Sequence, residues 1–372
     1  MSGFQWRMPV DVRFGAGCSQ KLGHDLGERS CIVLAFEQAE SLGLRQDWIR
    51  LLGKRMLAWL PVPDGLSTVQ RARELAPVLW EQLEIHPDAV VVGLGGGTVL
   101  DLAKLLRCRP QDHAFEAVAA ALRSSSHWPR LVRAPLWLVP TTAGTGSEVT
   151  RWATLWDTDH GIAVKRSFDE DFGWADRAYV DPALTCSCPA SVTRDTALDA
   201  LAHALEAIWN VNANPVSDRL ALTAARQVIG TLPDALREPT DLSLRCELSL
   251  AALNAGLAFS QTRTALAHSL SYAVTLEQGL PHGHACALWL PVTWRLALGA
   301  SARVDRRLGD VFRCEPDDGA AVLESWLASV GVDASLTAHA IHDAPQRIAA
   351  ALASERGRNF IGARVQAERE AA

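Results

Sequence analysis

The sequence of 372 residues predicts two parts: an α/β domain on a parallel sheet over residues 1–183 and an all-helical domain over residues 184–372. Three observations carry this expectation. Short apolar runs alternate with helical patterns through the first half, which calls for a parallel sheet with crossover helices. After Asp181-Pro182 the texture changes, and alanine and leucine at helical spacing dominate from Thr193 onward. The length also exceeds what one ordinary hydrophobic core serves.

In chain order, residues 31–36 (Cys31-Ile32-Val33-Leu34-Ala35-Phe36) read as a buried strand. Residues 67–83 carry a helical pattern, 89–94 a second strand rich in valine, 99–106 a helix and 136–140 a third strand. The helical half breaks near Asn212-Ala213-Asn214-Pro215 and again at Pro281-His282-Gly283. The polar tail after Glu355, with Arg356, Arg358 and Arg364, reads as loosely held.

Composition narrows the function. An apolar fraction of 48% and a charged fraction of 21% are those of an ordinary globular protein. A net charge of −6 and a pI near 6.0 argue against nucleic-acid and anionic-membrane binding. No uninterrupted apolar run reaches the roughly 18 residues of a membrane span, and Met1-Ser2-Gly3-Phe4-Gln5-Trp6 lacks a signal-peptide core, so a cytoplasmic protein is expected. The eight cysteines are scattered apart from Cys186 and Cys188, as expected of reduced thiols. Thirteen tryptophans stand against two tyrosines, and those in apolar contexts, such as Trp137 and Trp289, read as core or interface residues.

Two loops carry a phosphate-binding pattern. Gly95-Gly96-Gly97-Thr98 follows the valine-rich strand and opens a helix, whose first N–H groups and dipole favour an anion. Pro140-Thr141-Thr142-Ala143-Gly144-Thr145-Gly146-Ser147-Glu148 ends the third strand with hydroxyls and glycines able to donate to phosphate, ribose or an amide. Two such loops at strand C-termini suit a dinucleotide. In the helical half, Asp199 and His203 stand four apart, on one helix face. With His268 and His282 they make one oxygen and three nitrogen donors, a set that suits Fe2+ or Zn2+.

These residues resemble the iron-containing (group III) alcohol dehydrogenases. The match runs in order from Phe14-Gly15-Ala16-Gly17 to about Pro291 through Gly95-Gly96-Gly97-Thr98-x-x-Asp101-x-x-Lys104, the Pro140–Glu148 loop, Asp199-x-x-x-His203, and His268 with His282. The resemblance implies the dehydroquinate synthase-like/iron-containing alcohol dehydrogenase fold, with an N-terminal dinucleotide-binding domain and a C-terminal helical metal-binding domain. It implies NAD(P)H contacted by Gly95, Gly96, Gly97, Thr98, Asp101, Thr141, Thr142, Thr145, Ser147 and Lys165. It also implies one divalent metal (Fe2+ or Zn2+) on Asp199, His203, His268 and His282, and a homodimer. Within the family, Trp209 to Asp218, Arg263 to Tyr272 and Pro281 to Ala285 look like the phosphonoacetaldehyde reductase branch.

Two positions depart from the family pattern. Tyr272 stands where many members carry a histidine near the nicotinamide; a phenol can relay a proton but is a poor base at neutral pH. The position where NAD-preferring members often carry an acid aligns with Phe36, followed by Glu37, which leaves NADH against NADPH open.

The implied chemistry is reduction of a small aldehyde to a primary alcohol: Lewis-acid polarisation of the carbonyl, hydride from nicotinamide C4, and a proton through water, a ribose hydroxyl or Tyr272. An anionic substrate needs a cation. Arg263, five residues before His268 and about one and a half turns away if the segment is helical, is the first candidate, then Arg166 and Lys165. Alternatives are reductases of neutral or carboxylated aldehydes (lactaldehyde, succinic semialdehyde, maleylacetate type) and a dehydroquinate-synthase-like cyclase. His284 is placed behind the ligands or against substrate, whereas His24, His86, His113, His127, His160, His339 and His342 read as surface residues.

Overall fold

The computed structural model describes residues 3–124, 128–159, 161 and 163–363, so His127, His160 and Arg364 lie outside the described residues. The chain divides into two compact units. The first holds residues 9–142 and 147–184; the second holds the described parts of residues 1–8, 143–146 and 185–372. The principal break therefore follows Leu184, and two short segments earlier in the chain cluster with the helices.

In the first unit the described strands are β1 (Asp11–Phe14), β2 (Cys31–Phe36), β3 (Met56–Val62), β4 (Val90–Gly95), β5 (Cys108–Pro110), β6 (Leu131–Arg133), β7 (Leu136–Pro140), β8 (Trp152–Asp157), β9 (Val164–Asp169) and β10 (Arg177–Val180). Six of them form a parallel sheet in the order β1-β10-β7-β4-β2-β3. The three strands expected from sequence are its centre, where Ile32, Val33, Leu34, Val90, Val91, Val92 and Leu138 are fully buried, as parallel strands covered on both faces require. β1, β3 and β10 escape the apolar-run criterion for visible reasons. β1 is largely exposed, β10 is four residues long, and β3 is an edge strand whose Pro61 would break a central ladder.

The helices of this unit are α1 (Leu22–Leu26), α2 (Leu44–Leu52), α3 (Val69–Ile85), α4 (Gly97–Leu106) and α5 (Phe115–Ser124). Thr68 caps α3 by accepting the Arg71 N–H at 3.1 Å. Strands β8 and β9 form an antiparallel hairpin, and β5 pairs with β6.

The second unit contains α6 (Ala190–Ile208), α7 (Pro215–Arg237), α8 (Leu242–Thr262), α9 (Leu266–Gln278), α10 (His282–Ala297), α11 (Ala302–Phe312), α12 (Gly319–Ser329) and α13 (Ala344–Ala353). Helix α6 is its axis, packed by α7, α8 and α10. The Asn212–Pro215 break is the start of α7, where Asn214 and Ser217 form a capping box and Pro215 takes the first turn. Helix α8 has the length and mean hydropathy (1.2) of a membrane span, yet it includes Arg245, Glu247 and Asn254 and packs on α6 and α7. Trp209, Trp289 and Trp294 are fully buried.

The tail is not loose where it is described. Phe360 is buried and bridges to Asn210, the Val211 N–H donates to Asn359 O at 2.8 Å, and the Ile361 N–H donates to Trp209 O at 3.0 Å. Its polar composition hid two apolar anchors.

Candidate active site

The candidate metal donors converge within the helical unit. Helix α6 carries Asp199, His203 and Glu206 at spacings of four and three, so all three share a face. His268 lies in the first turn of α9, and His282 is the first residue of α10. Gly283 allows that last placement: a Cβ there would sit 1.9 Å from Asp195 O and 2.9 Å from Asp199 N, so only glycine lets α10 begin against α6. Asp199 Oδ1 is then 3.8 Å from His203 Nε2, 3.4 Å from His268 Nε2 and 3.8 Å from His282 Nε2.

Glu206, which the sequence reading passed over, organises the centre. It is fully buried; Oε2 accepts from the Ala265 N–H at 2.7 Å and lies 2.8 Å from His268 Nδ1, while Oε1 accepts from the His268 N–H at 3.1 Å. One carboxylate therefore caps the start of α9 and turns the Nε2 of His268 toward Asp199. Burial pushes its pKa up, but His268 and the two backbone donors outweigh that and hold it below the usual glutamate value. Burial likewise pushes the Asp199 pKa up, but the surrounding imidazoles, with a hydrogen bond from His268, outweigh that and hold it below the usual aspartate value. The His203 ring lies flat on Phe259 (3.9 Å, 8°) and beside His268 (4.5 Å), and burial lowers its pKa to about 3, leaving a neutral imidazole.

A divalent ion fits these residues. Asp199 Oδ1 and His268 Nε2, which face one another at 3.4 Å, are buried without a hydrogen-bond partner, a costly state unless something else binds them. Asp199, His268, His282 and Cys286 each offer a donor atom within 4.8 Å of the others. Cys286 was not anticipated, although its spacing of four from His282 was readable. Burial pushes its thiol pKa up, but His268 and His282 overcome this and bring it to about 6.

Around the donors, Tyr272 stacks on His282 (5.9 Å, 11°), and the Arg356 guanidinium lies 5.4 Å over the Tyr272 ring while donating to Thr264 Oγ1 at 2.7 Å. Arg263 is not helical. Helix α8 ends at Thr262 and α9 starts at Leu266; Arg263 sits between them at φ 68°, a conformation that side chains rarely adopt. Its carbonyl accepts from Asn210 Nδ2 at 3.1 Å. His284 pairs with Asp195 at 3.6 Å. Among the other described histidines His24, His86 and His342 are exposed, while His113 and His339 are half-buried, His113 against Glu84 at 3.3 Å.

In the sheet unit, the chain order reverses between β2 and β4, and the glycine run lies at the C-terminal end of β4. Gly95, Gly96, Thr141 and Thr142 come together there. The Thr141 N–H donates to Gly95 O at 3.0 Å, and a Cβ on Gly96 would meet Thr142 at 3.4 Å. Gly97 opens α4 and Thr98 donates to Gly65 O at 2.9 Å. Gly96 has φ −77°, so its backbone needs no glycine; Gly95 does, since a Cβ would lie 2.5 Å from Val99 Cγ2.

Asp101 accepts from Ser147 Oγ at 2.7 Å and from the Thr154 N–H at 2.8 Å, so its carboxylate braces the second loop from behind. Lys104, fully buried, donates to Ser147 Oγ at 2.8 Å and Trp152 O at 2.7 Å, and burial lowers its pKa to about 8. Lys165 is half-buried on β9, opposite Trp156, while Arg166 is engaged by Asp157 at 3.4 Å and Arg123 O at 3.3 Å. Thr145 belongs to the segment that clusters with the helical unit, and Glu37 is exposed and accepts from the Asp64 N–H at 3.3 Å.

Comparison with known proteins agrees with this geometry. Residues 9–182 match the family described as iron-containing alcohol dehydrogenase, and residues 193–366 match the Fe-containing alcohol dehydrogenase family, C-terminal. The chain is 34% identical over 318 residues to the probable alcohol dehydrogenase EutG of Escherichia coli (strain K12), covering 80% of this chain and 78% of that one. It is 33% identical over 234 residues to phosphonoacetaldehyde reductase of Streptomyces viridochromogenes, covering 62% and 57%. The structure of sulfoacetaldehyde reductase from Bifidobacterium kashiwanohense in complex with NAD+ matches with a TM-score of 0.87 at 25% identity, over 97% of this chain and 95% of that one. Several relatives are matched over 57–64% of their own length.

Proposed function

Because this chain belongs to the iron-containing alcohol dehydrogenase family, we propose that it is an oxidoreductase that reduces a small aldehyde to a primary alcohol with NAD(P)H. The carrying observation is the convergence of Asp199, His203, His268 and His282, with Asp199 Oδ1 and His268 Nε2 buried and lacking partners. Those four residues would hold Fe2+ or Zn2+, and what such an ion supplies is Lewis acidity at the carbonyl oxygen. NAD(P)H supplies the hydride; the loops bearing Gly95–Thr98, Thr141, Thr142, Thr145, Ser147 and Lys165 would bind it, with Asp101 bracing them.

The remaining roles fall to this chain's side chains. Glu206 orients His268, and Phe259 fixes the plane of His203. Tyr272, with a reference pKa of about 10, keeps its proton at neutral pH and can donate it toward the product oxygen.

The substrate class we propose is a small anionic aldehyde, phosphonoacetaldehyde first. Supporting it are the Arg263–Tyr272 segment and the relatives named for phosphonoacetaldehyde and sulfoacetaldehyde. Arg356 places a guanidinium over the Tyr272 ring, a second candidate cation beside Arg263. EutG, a probable alcohol dehydrogenase, supports the rival reading of a neutral substrate. A panel of phosphonoacetaldehyde, lactaldehyde and succinic semialdehyde, followed by absorbance with NADH and with NADPH, separates them. Arg263→Ala is expected to cut kcat/KM for the anionic aldehyde roughly ten- to a hundredfold and to spare a neutral one. Equal losses make Arg263 structural, and wild-type preference for lactaldehyde overturns the anionic reading. The family resemblance extends the proposal to a cytoplasmic homodimer, the dimer being checked by light scattering.

A further inference from the structure

We propose that Cys286 is a metal ligand of this chain, its thiolate joining Asp199, His268 and His282 around one divalent ion. The inference rests on the metal reading above and adds a donor of a different kind to it. His282 and Cys286 stand four apart on α10, so both side chains leave the same face. Cys286 Sγ lies 3.8 Å from His282 Nε2, and the four donor atoms are mutually within 4.8 Å. Metal–sulfur and metal–nitrogen bonds of about 2.3 and 2.05 Å at a tetrahedral angle set their donors about 3.5 Å apart. The observed separations of 3.8 Å for Cys286 to His282 and 3.4 Å for Asp199 to His268 differ from that by a few tenths of an ångström.

A buried cysteine is more commonly a small hydrophobe. Here the sulfur does not sit among carbon atoms alone, because imidazole and carboxylate groups face it. Asp199 and His268 are 5% and 2% exposed, and Asp199 Oδ1 and His268 Nε2, two of the four donor atoms, have no hydrogen-bond partner. His203 remains a donor. Its Nε2 faces the same Asp199 Oδ1 at 3.8 Å, with its ring held flat on Phe259, so Cys286 adds to the Asp199, His203, His268 and His282 set and replaces none of it.

The step is proton exchange: the Cys286 S–H loses its proton to solvent as the sulfur–metal bond forms, with no change of oxidation state. A sulfur donor added to the oxygen and nitrogen set makes it softer and shifts selection toward Zn2+ and Co2+.

Apo-protein reloaded with Co2+ alone tests this. The expected result is one cobalt per chain with a near-ultraviolet sulfur-to-cobalt charge-transfer band. The band should be lost in Cys286→Ser and intact in the Cys186→Ser/Cys188→Ser double variant. Stoichiometric cobalt without the band in the wild type, or a band that survives Cys286→Ser, overturns the assignment and leaves the metal reading standing. Failure of the wild type to bind cobalt overturns both. Should Cys286→Ser not fold, Cys286→Ala takes its place in the same comparison, and a band surviving it overturns the assignment equally.

Discussion

Glu206 shows how one buried group can determine the chemistry of another. It accepts from two backbone N–H groups and faces His268 Nδ1, so its carboxylate has no oxygen to spare. Glu206→Gln replaces one acceptor by an NH2 that must face a donor. Metal affinity measured by competition with a chromophoric chelator is expected to fall roughly 10- to 100-fold. Unchanged affinity would show that His268 is oriented without it. The glycine run makes a second contrast at this scale. Gly95→Ala would press a Cβ against Val99, a stiff side chain in the first turn of α4, at a cost of roughly 1–3 kcal/mol. Gly96 has an ordinary φ and open space apart from Thr142. Gly95→Ala is therefore expected to weaken NAD(P)H binding in a fluorescence titration and lower the melting temperature, while Gly96→Ala leaves stability near wild type. The reverse order would mean that the turn tolerates side chains where the structure does not.

At the scale of elements, the β8–β9 hairpin is held to α5 by charge. Asp157 is buried, accepts from Arg123 Nε at 2.8 Å and lies 3.4 Å from Arg166. The Arg123 hydrogen bond, acting against burial, lowers its pKa from 3.8 to about 2. A carboxylate depressed in the folded state contributes stability above its unfolded pKa, and that contribution is lost as pH falls through the folded one. Asp157→Asn should cost roughly 1.5–3 kcal/mol at neutral pH and remove the part of the acid-induced loss between about pH 4 and pH 2. Urea titrations across that range check this; parallel curves for wild type and variant would assign the acid sensitivity elsewhere. Element boundaries followed local chemistry where caps and glycines are strong, as at Asn214 and Gly97. They were missed where a strand sits at an edge with half its surface wet, as for β1 and β3.

For the whole molecule, every proposed metal donor lies in the helical unit, on α6, α9 and α10. An ion that binds only the folded state adds about 2.7 kcal/mol at a hundredfold excess over its Kd. Chelation should lower the melting temperature of the purified protein, and readdition of Zn2+ or Fe2+ should restore it. His268→Ala should abolish the metal-dependent shift in calorimetry, whereas a shift of undiminished size would remove His268 from the ligand set. The amino-acid sequence by itself determined the change from sheet to helices, the central strands and the residues that could serve as donors. Those follow from local periodicity, turn chemistry and spacing, which neighbouring residues carry. Tertiary structure alone decided which donors meet. Glu206 reaches Ala265 and His268 across about sixty positions, Gly283 lets α10 start against Asp195, and Phe360 pins a polar tail. Such contacts depend on how helices pack: the i,i+4 spacing sets Cys286 beside His282, but only packing brings both next to Asp199 and His268.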